Sequence, residues 1–169
     1  MPAQIRRATG GDVAAMCEIS QRAHRLGYAH LIPASHRAAF DARYDGSPKH
    51  RHILAARLRR ALARKNWTVL VAEHDGTVVG YTLCERTAYG ARKRGLFVDP
   101  DYQGVGIGNM LFASSLEGLD NKAVELLVVE NNARATRLYE QHGFHSIGRS
   151  NVLYFGAHQI HMRRLPVVA

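Results

Sequence analysis

Three glycines at alternate positions, Gly104, Gly106 and Gly108, stand between the apolar run Leu96–Val98 and an apolar, helix-like run in LFVDPDYQGVGIGNMLF, residues 96–112. A helix N-terminus leaves backbone N–H groups without partners and carries partial positive charge, so main chain alone can bind an anion there. Removing Cβ atoms lets a diphosphate approach that main chain. The stretch Gln103, Gly104, Val105, Gly106, Ile107, Gly108 and Asn109 therefore reads as a pyrophosphate cradle, with Gln103 adding an amide donor at its start. A flexible strand-to-helix turn that uses glycine for its own geometry explains the same residues equally well. Two nucleotide loops are disfavoured by spacing. No Lys-Ser or Lys-Thr follows the last glycine, and Asn109 stands where a dinucleotide fingerprint has its third glycine.

Metal chemistry finds little support. Among ten histidines, His142 and His145 are three apart, as are His158 and His161. The first pair flanks an expected helix end, and the second lies on an expected strand, where that spacing points to opposite faces. No metal is expected. Cys17 and Cys84 sit in apolar surroundings without ligand spacing and read as reduced core thiols. His24 and His30, near GYAHLIP, are candidates to line a pocket or to be surface histidines.

The formal charge of +9 on 169 residues points to anionic company. No acid occurs between Asp45 and Glu73, and KHRHILAARLRRALARK spaces Leu54, Leu58 and Leu62 four apart among Arg57, Arg59, Arg60 and Arg64. This is a basic amphipathic helix over 49–65, which buries its leucines and solvates its arginines or serves as a polyanion-binding face. With 46% hydrophobic and 22% charged residues the composition is that of a folded domain. Neither a leader nor an apolar run of about 18 residues is visible, so a cytoplasmic protein with no membrane partner is expected.

Positioning these groups requires alternating elements. A short strand over Gln4–Ala8 precedes a helix with Val13, Met16 and Cys17 on its buried face, and a loop around GYAHLIPASH leads to the basic helix. Trp67–Glu73 and Thr77–Glu85 form a hairpin through Asp75-Gly76. Gly95–Val98 is a strand, Ile107, Met110 and Leu111 open a helix, and AVELLVV is a strand ending at Val129. A helix from about Asn132 to His142 stops at Gly143, and two strands close the chain. The pattern is a single α/β domain over 1–169, with a mixed, mostly antiparallel twisted sheet flanked by helices.

Gln103, Gly106 and Gly108 after LFVDPDY match the acyl-CoA loop of the GNAT N-acetyltransferase superfamily, and VVENNARATRLYEQHGF resembles its second signature through Asn132, Ala135, Tyr139, Gly143 and Phe144. The chain is thus similar to GNAT enzymes over most of its length, with specific motifs confined to the second half. The resemblance implies direct acetyl transfer from acetyl-CoA to an amine of a small molecule or peptide, with no metal. Backbone groups near Phe97 and Val98 then hold the pantetheine arm and polarise the thioester carbonyl. Tyr139 protonates the leaving thiolate, unless it is a core aromatic. Asn132 holds the arm or caps its helix. Glu85, at the end of VVGYTLCE, is the candidate base, because the strand before the glycine loop carries Arg92, Lys93 and Arg94 where the family often has an acid. Those cations, with Arg86, favour an acceptor bearing its own carboxylate or phosphate over a polycation. Leu127 replaces a Glu found in the ribosomal-protein branch. The alternative is a polyanion- or nucleic-acid-binding protein using the basic helix, including a tRNA-acetylating enzyme. The sequence is compatible with a homodimer.

Overall fold

Residues 3–167 are described in the computed structural model. β1 (Gln4–Arg7) pairs antiparallel with β2 (Trp67–His74), and β2 with β3 (Thr77–Thr87). Asp75 and Gly76 both take positive φ, 48° and 74°, the backbone a two-residue hairpin demands. β3 pairs antiparallel with β4 (Gly90–Val98), and β4 meets β5 (Ala123–Val129) in parallel. β6 (His145–Arg149) and β7 (Gln159–Arg164) complete a seven-stranded sheet of order β1-β2-β3-β4-β5-β7-β6. A single α/β domain results, with one parallel junction in an otherwise antiparallel sheet.

The helices are α1 (Val13–Gly27), α2 (Ala34–Arg43), α3 (Pro48–Leu62), α4 (Ile107–Leu116) and α5 (Ala133–Gln141). Val13, Met16 and Cys17 of α1 and Leu58 and Ala61 of α3 pack with Val69, Val71, Tyr81 and Leu83 of the sheet. Leu111, Phe112 and Leu116 of α4 pack against other strand residues, among them Ala72, Val79, Val124 and Val128, and Leu138 and Tyr139 of α5 pack beside them. Removing apolar surface from water on both sheet faces is the main favourable term holding these layers together. α3 begins where Ser47 Oγ accepts from the His50 N–H and Pro48 opens the first turn. Its Leu58 is buried, while Arg57, Arg59 and Arg60 are exposed, so the helix does pack on its leucine side.

Two segments differ from the sequence expectation. Residues 34–43, expected as part of a loop, form α2, whose Phe40 is fully buried against Ile32, Val129 and Ala157. A single apolar anchor with long-range partners leaves no helical period to read. β4 begins at Gly90 rather than Gly95, because Arg92 and Lys93 pair in register with Glu85 and Cys84 of β3 despite their charge. Among the described residues no helix is long and apolar enough to cross a membrane.

Candidate active site

The parallel contact of β4 with β5 lasts only from Gly90↔Ala123 to Arg92↔Glu125, whereas β5 stays paired with β7 as far as Val129↔Gln159. Beyond Arg92 the two central strands therefore part, and the edge of β4 facing β5 is left without a ladder. Antiparallel alternation decides which groups this edge offers. The Asp99 N–H donates to Val79 O, which turns Asp99, Phe97 and Gly95 toward β3 and leaves the N–H groups of Leu96 and Val98 facing the gap. Leu96, Phe97 and Val98 all line the cleft that holds the glycine loop. The Phe97 ring lies 5.2 Å from the Tyr81 ring, where the clefts adjoin.

At the end of β4 the chain turns through Asp99, whose carboxylate accepts from the Asp101 N–H at 3.0 Å and pairs with Arg22 of α1 at 3.1 Å. The glycine loop follows, with Gly104 and Gly106 at φ 88° and 90°. A Cβ at either would meet no atom within 4 Å, so both glycines face open space and are required by backbone conformation. At the head of α4 the Met110 N–H donates to Gly106 O at 3.0 Å. From Gly104 through Asn109 the N–H groups have no acceptor among the described residues, an array suited to a polyvalent anion. Gly108 is unstrained, 3.7 Å from Val98 Cγ2. Ile107 is buried in the core, so only its amide faces the loop's exterior, while the Val105 side chain is 71% exposed. Gln103 uses one of its two amide N–H groups within the protein. Its Nε2 donates to Val98 O at 3.0 Å and its Oε1 accepts from Arg134, so the carboxamide braces loop, β4 and α5 together. Asn109 Oδ1 accepts from His142 Nε2 at 2.8 Å.

Across the cleft, Asn132 caps α5 by accepting from the Ala135 N–H at 3.2 Å. The two readings of this residue are compatible, since its amide group also lines the cleft beside the glycine loop. Tyr139 is half-buried, its ring 5.0 Å from that of Phe112. Its hydroxyl has no hydrogen-bond partner among the described residues, and burial pushes the phenol up. The cleft holding the glycine loop, Asn132 and Tyr139 has a volume of about 580 Å³ and no Asp or Glu in its lining. Open amides, positive-φ glycines facing space and an acid-free wall fit the pyrophosphate and pantetheine of coenzyme A.

Glu85 does not join this group. Its carboxylate is taken by Arg94 at 2.5 and 2.8 Å, and the residue lies outside the walls of all three main clefts. A strand end followed by cations attracts a carboxylate into an ion pair, which the sequence alone did not distinguish from an exposed base. His24 was named with His30 as a candidate pocket residue, and both line the clefts. His24 Nδ1 donates to Ser20 O at 2.6 Å, which leaves Nε2 as the lone-pair nitrogen. The ring stacks on Tyr44 at 4.0 Å and lies 5.1 Å from Tyr28 and 4.8 Å from Phe97. Burial, opposed by the Ser20 bond and aided by Arg43, lowers its pKa to about 4, so the imidazole is neutral at neutral pH.

Tyr28, Tyr44, Tyr154 and Arg43 were not singled out from sequence. Tyr44 and Tyr154 share a 2.6 Å hydroxyl contact across 110 residues, a pairing with no local signature. Leu127 of β5 lines the middle cleft with an apolar side chain. Lys93, taken from sequence as a cation approaching the acceptor, is buried at 8% exposure and points into the core, donating to Thr82 Oγ1 at 2.9 Å and to Ser115 Oγ. Among the described residues no group of three His, Cys, Asp or Glu is arranged to hold a metal ion.

Parted parallel strands beside a glycine-headed helix are the arrangement of the GNAT fold. Residues 65–146 match the family described as Acetyltransferase (GNAT) domain. It is similar to a mycothiol acetyltransferase of Brachybacterium faecium, 39% identical over 89 residues that cover 48% of this chain and 27% of that protein. It also resembles an uncharacterized N-acetyltransferase of Archaeoglobus fulgidus, 36% identical over 88 residues covering 46% and 60% respectively. The chain therefore spans only part of the length of these curated relatives. In fold it superposes on the PaiA N-acetyltransferase of Thermoplasma acidophilum in complex with coenzyme A, with TM-score 0.77, 18% identity and coverage of 98% and 99%.

Proposed function

We propose that this protein is an acetyl-CoA-dependent N-acetyltransferase that transfers an acetyl group directly to an amine of a small molecule or peptide. The observation carrying this is the run of unpartnered N–H groups from Gly104 to Asn109 beside the open β4 edge. Acetyl-CoA supplies the activated acyl group. The loop amides hold its pyrophosphate, and the N–H groups of Leu96 and Val98 orient the pantetheine arm and the thioester carbonyl. Tyr139 holds a proton at Oη for the leaving sulfur, and its raised pKa keeps that proton in place until sulfur needs it.

The incoming amine must be neutral to attack, since an ammonium of pKa about 10.4 has no lone pair. With Glu85 bound to Arg94, the ammonium proton leaves to solvent in the open cleft, and His24, which lines two adjoining clefts and is neutral, offers Nε2 as a hydrogen-bond acceptor that orients the neutral amine. The test is thiol release from acetyl-CoA across a panel of amines, amino acids, peptides and tRNA, with coenzyme A binding followed separately by calorimetry. Thiol release that depends on an amine acceptor supports the reading. A folded protein that binds no coenzyme A overturns it, and tight salt-sensitive RNA binding without thiol release would favour the polyanion-binding alternative.

A further inference from the structure

The outer half of the cleft is one-sided in charge. Past Phe97 the cavity continues for about 450 Å³ among α1, α2 and α3, over a floor that includes Cys17, Leu58, Tyr81 and Leu83, each at most 8% exposed. Arg43, Arg51, Arg57 and Arg94 stand in its walls, and no Asp or Glu does. Arg94 is neutralised by Glu85. Arg43, Arg51 and Arg57 have no ion-pair partner among the described residues, although Arg6, Arg22, Arg149 and Arg163 elsewhere each hold a carboxylate. The Asp45 carboxylate is engaged by the Ser47 N–H and by His50 of the cavity wall rather than by any of these arginines. The charge of Arg43 is felt at His24, Tyr44 and Tyr154, and His24 and Tyr154 line both this cavity and the adjoining cleft.

Uncompensated guanidinium groups over a low-dielectric hollow concentrate anions and repel cations, and they bind carboxylate and phosphate as planar forks. The floor beneath them favours hydrocarbon, at about 25 cal/mol per Å² removed from water. We propose that the acceptor is a primary amine carrying a carboxylate or phosphate on an apolar body, its anion held by Arg43, Arg51 and Arg57 and its amine directed past Phe97 toward the parted strands. This rests on the acetyltransferase reading above. A second ammonium on the acceptor meets only like charge here. The enclosed apolar floor favours a small acceptor over a nucleic acid, whose backbone would leave that floor unused.

Four amines with one six-carbon body test the inference: 6-aminohexanoate, 6-aminohexyl phosphate, hexylamine and 1,6-diaminohexane. At least one of the two anions is expected to show kcat/KM about tenfold or more above hexylamine and about 100-fold above the diamine. The ratio between the two anions tells carboxylate from phosphate. The double variant R51E/R57E, at two exposed α3 positions, should lose this preference while binding coenzyme A as the wild type does. Trp67 is the single tryptophan of the chain and lines this cavity, which provides a readout without turnover. Its fluorescence should change saturably with 6-acetamidohexanoate in the wild type, and much less in the double variant or at high salt. Hexylamine or the diamine matching both anions, selectivity unchanged in R51E/R57E, or transfer confined to tRNA would overturn the inference. So would coenzyme A binding with no turnover of any of the four amines. Failure to bind coenzyme A would instead sink the acetyltransferase reading, and the Trp67 titration then still decides whether the cavity takes anions.

Discussion

Tyr139 and Gly106 show how much one residue can be asked to do. Tyr139→Phe keeps the ring against Phe112 and removes only the hydroxyl, which has no partner among the described residues, so packing loses little. The expected result is a fall of roughly 10 to 100-fold in the single-turnover rate with coenzyme A affinity nearly unchanged, because water partly replaces a lost phenol. A single-turnover rate equal to wild type would make Tyr139 a packing residue. Gly106→Asp places a side chain and a negative charge at a φ of 90°, at the head of α4 where the amides open to solvent. Calorimetry should then find coenzyme A binding abolished with the fold largely retained. Gly90 cannot serve as a neutral comparator. A Cβ there would run into the Ala123 carbonyl, where β4 meets β5, whereas Gly10 has nothing within 4 Å and a permissive backbone. These two sites were legible as short contiguous motifs, because main chain and one helix face do the work.

At the scale of elements, β4 carries both the open edge and a buried ammonium. Lys93 reaches from β4 to Ser115 of α4 and Thr82 of β3, with no carboxylate in contact. Burial lowers its pKa from 10.5 to about 8. The unfolded chain therefore binds more protons between pH 8 and 10.5, so this group's cost is fully present below pH 8 and relieved as pH rises. Comparison of urea melts should show the wild type gaining stability over Lys93→Met across that window, by up to about 3 kcal/mol. Parallel curves would mean that Lys93 keeps an ordinary pKa in the folded protein. The length of β4 was not legible because the ARKR stretch reads as surface, and only its ladder with β3 and the hydroxyls of Thr82 and Ser115 explain a charged strand interior. α2 escaped for a similar reason, since Phe40 acts through partners far away in sequence.

For the whole molecule, acid is expected to act first through His24. Its pKa near 4 in the folded state lies below 6.5 in the unfolded chain, so its neutral form supports stability fully above pH 6.5. That support drains as pH falls to 4, by up to about 3 kcal/mol. Asp12, bound by Arg6 and the Thr9 N–H, has its pKa lowered from 3.8 to about 2 and adds a loss of about 2 kcal/mol only below pH 4. Chemical denaturation in steps from pH 7 to 4 should thus show a decline that His24→Phe largely removes. A decline of equal size in that variant would place the acid sensitivity elsewhere.

The alternation of apolar runs, the Asp75-Gly76 hairpin, the glycine loop and the Asn132–Phe144 segment were all determined by sequence, because each depends on backbone conformation or on periodicity within a few turns. Which carboxylate is free was not. Glu85 reads as an exposed strand end until Arg94, nine residues on, folds back across the hairpin to bind it. The acceptor cavity was still less accessible, since its walls come from α1, α2, α3, β4 and the loop carrying Tyr154. Tertiary structure alone decides which arginines lack carboxylates and which histidine nitrogen keeps its lone pair. Charge compensation and desolvation depend on distances through space, and spacing along the chain does not encode them.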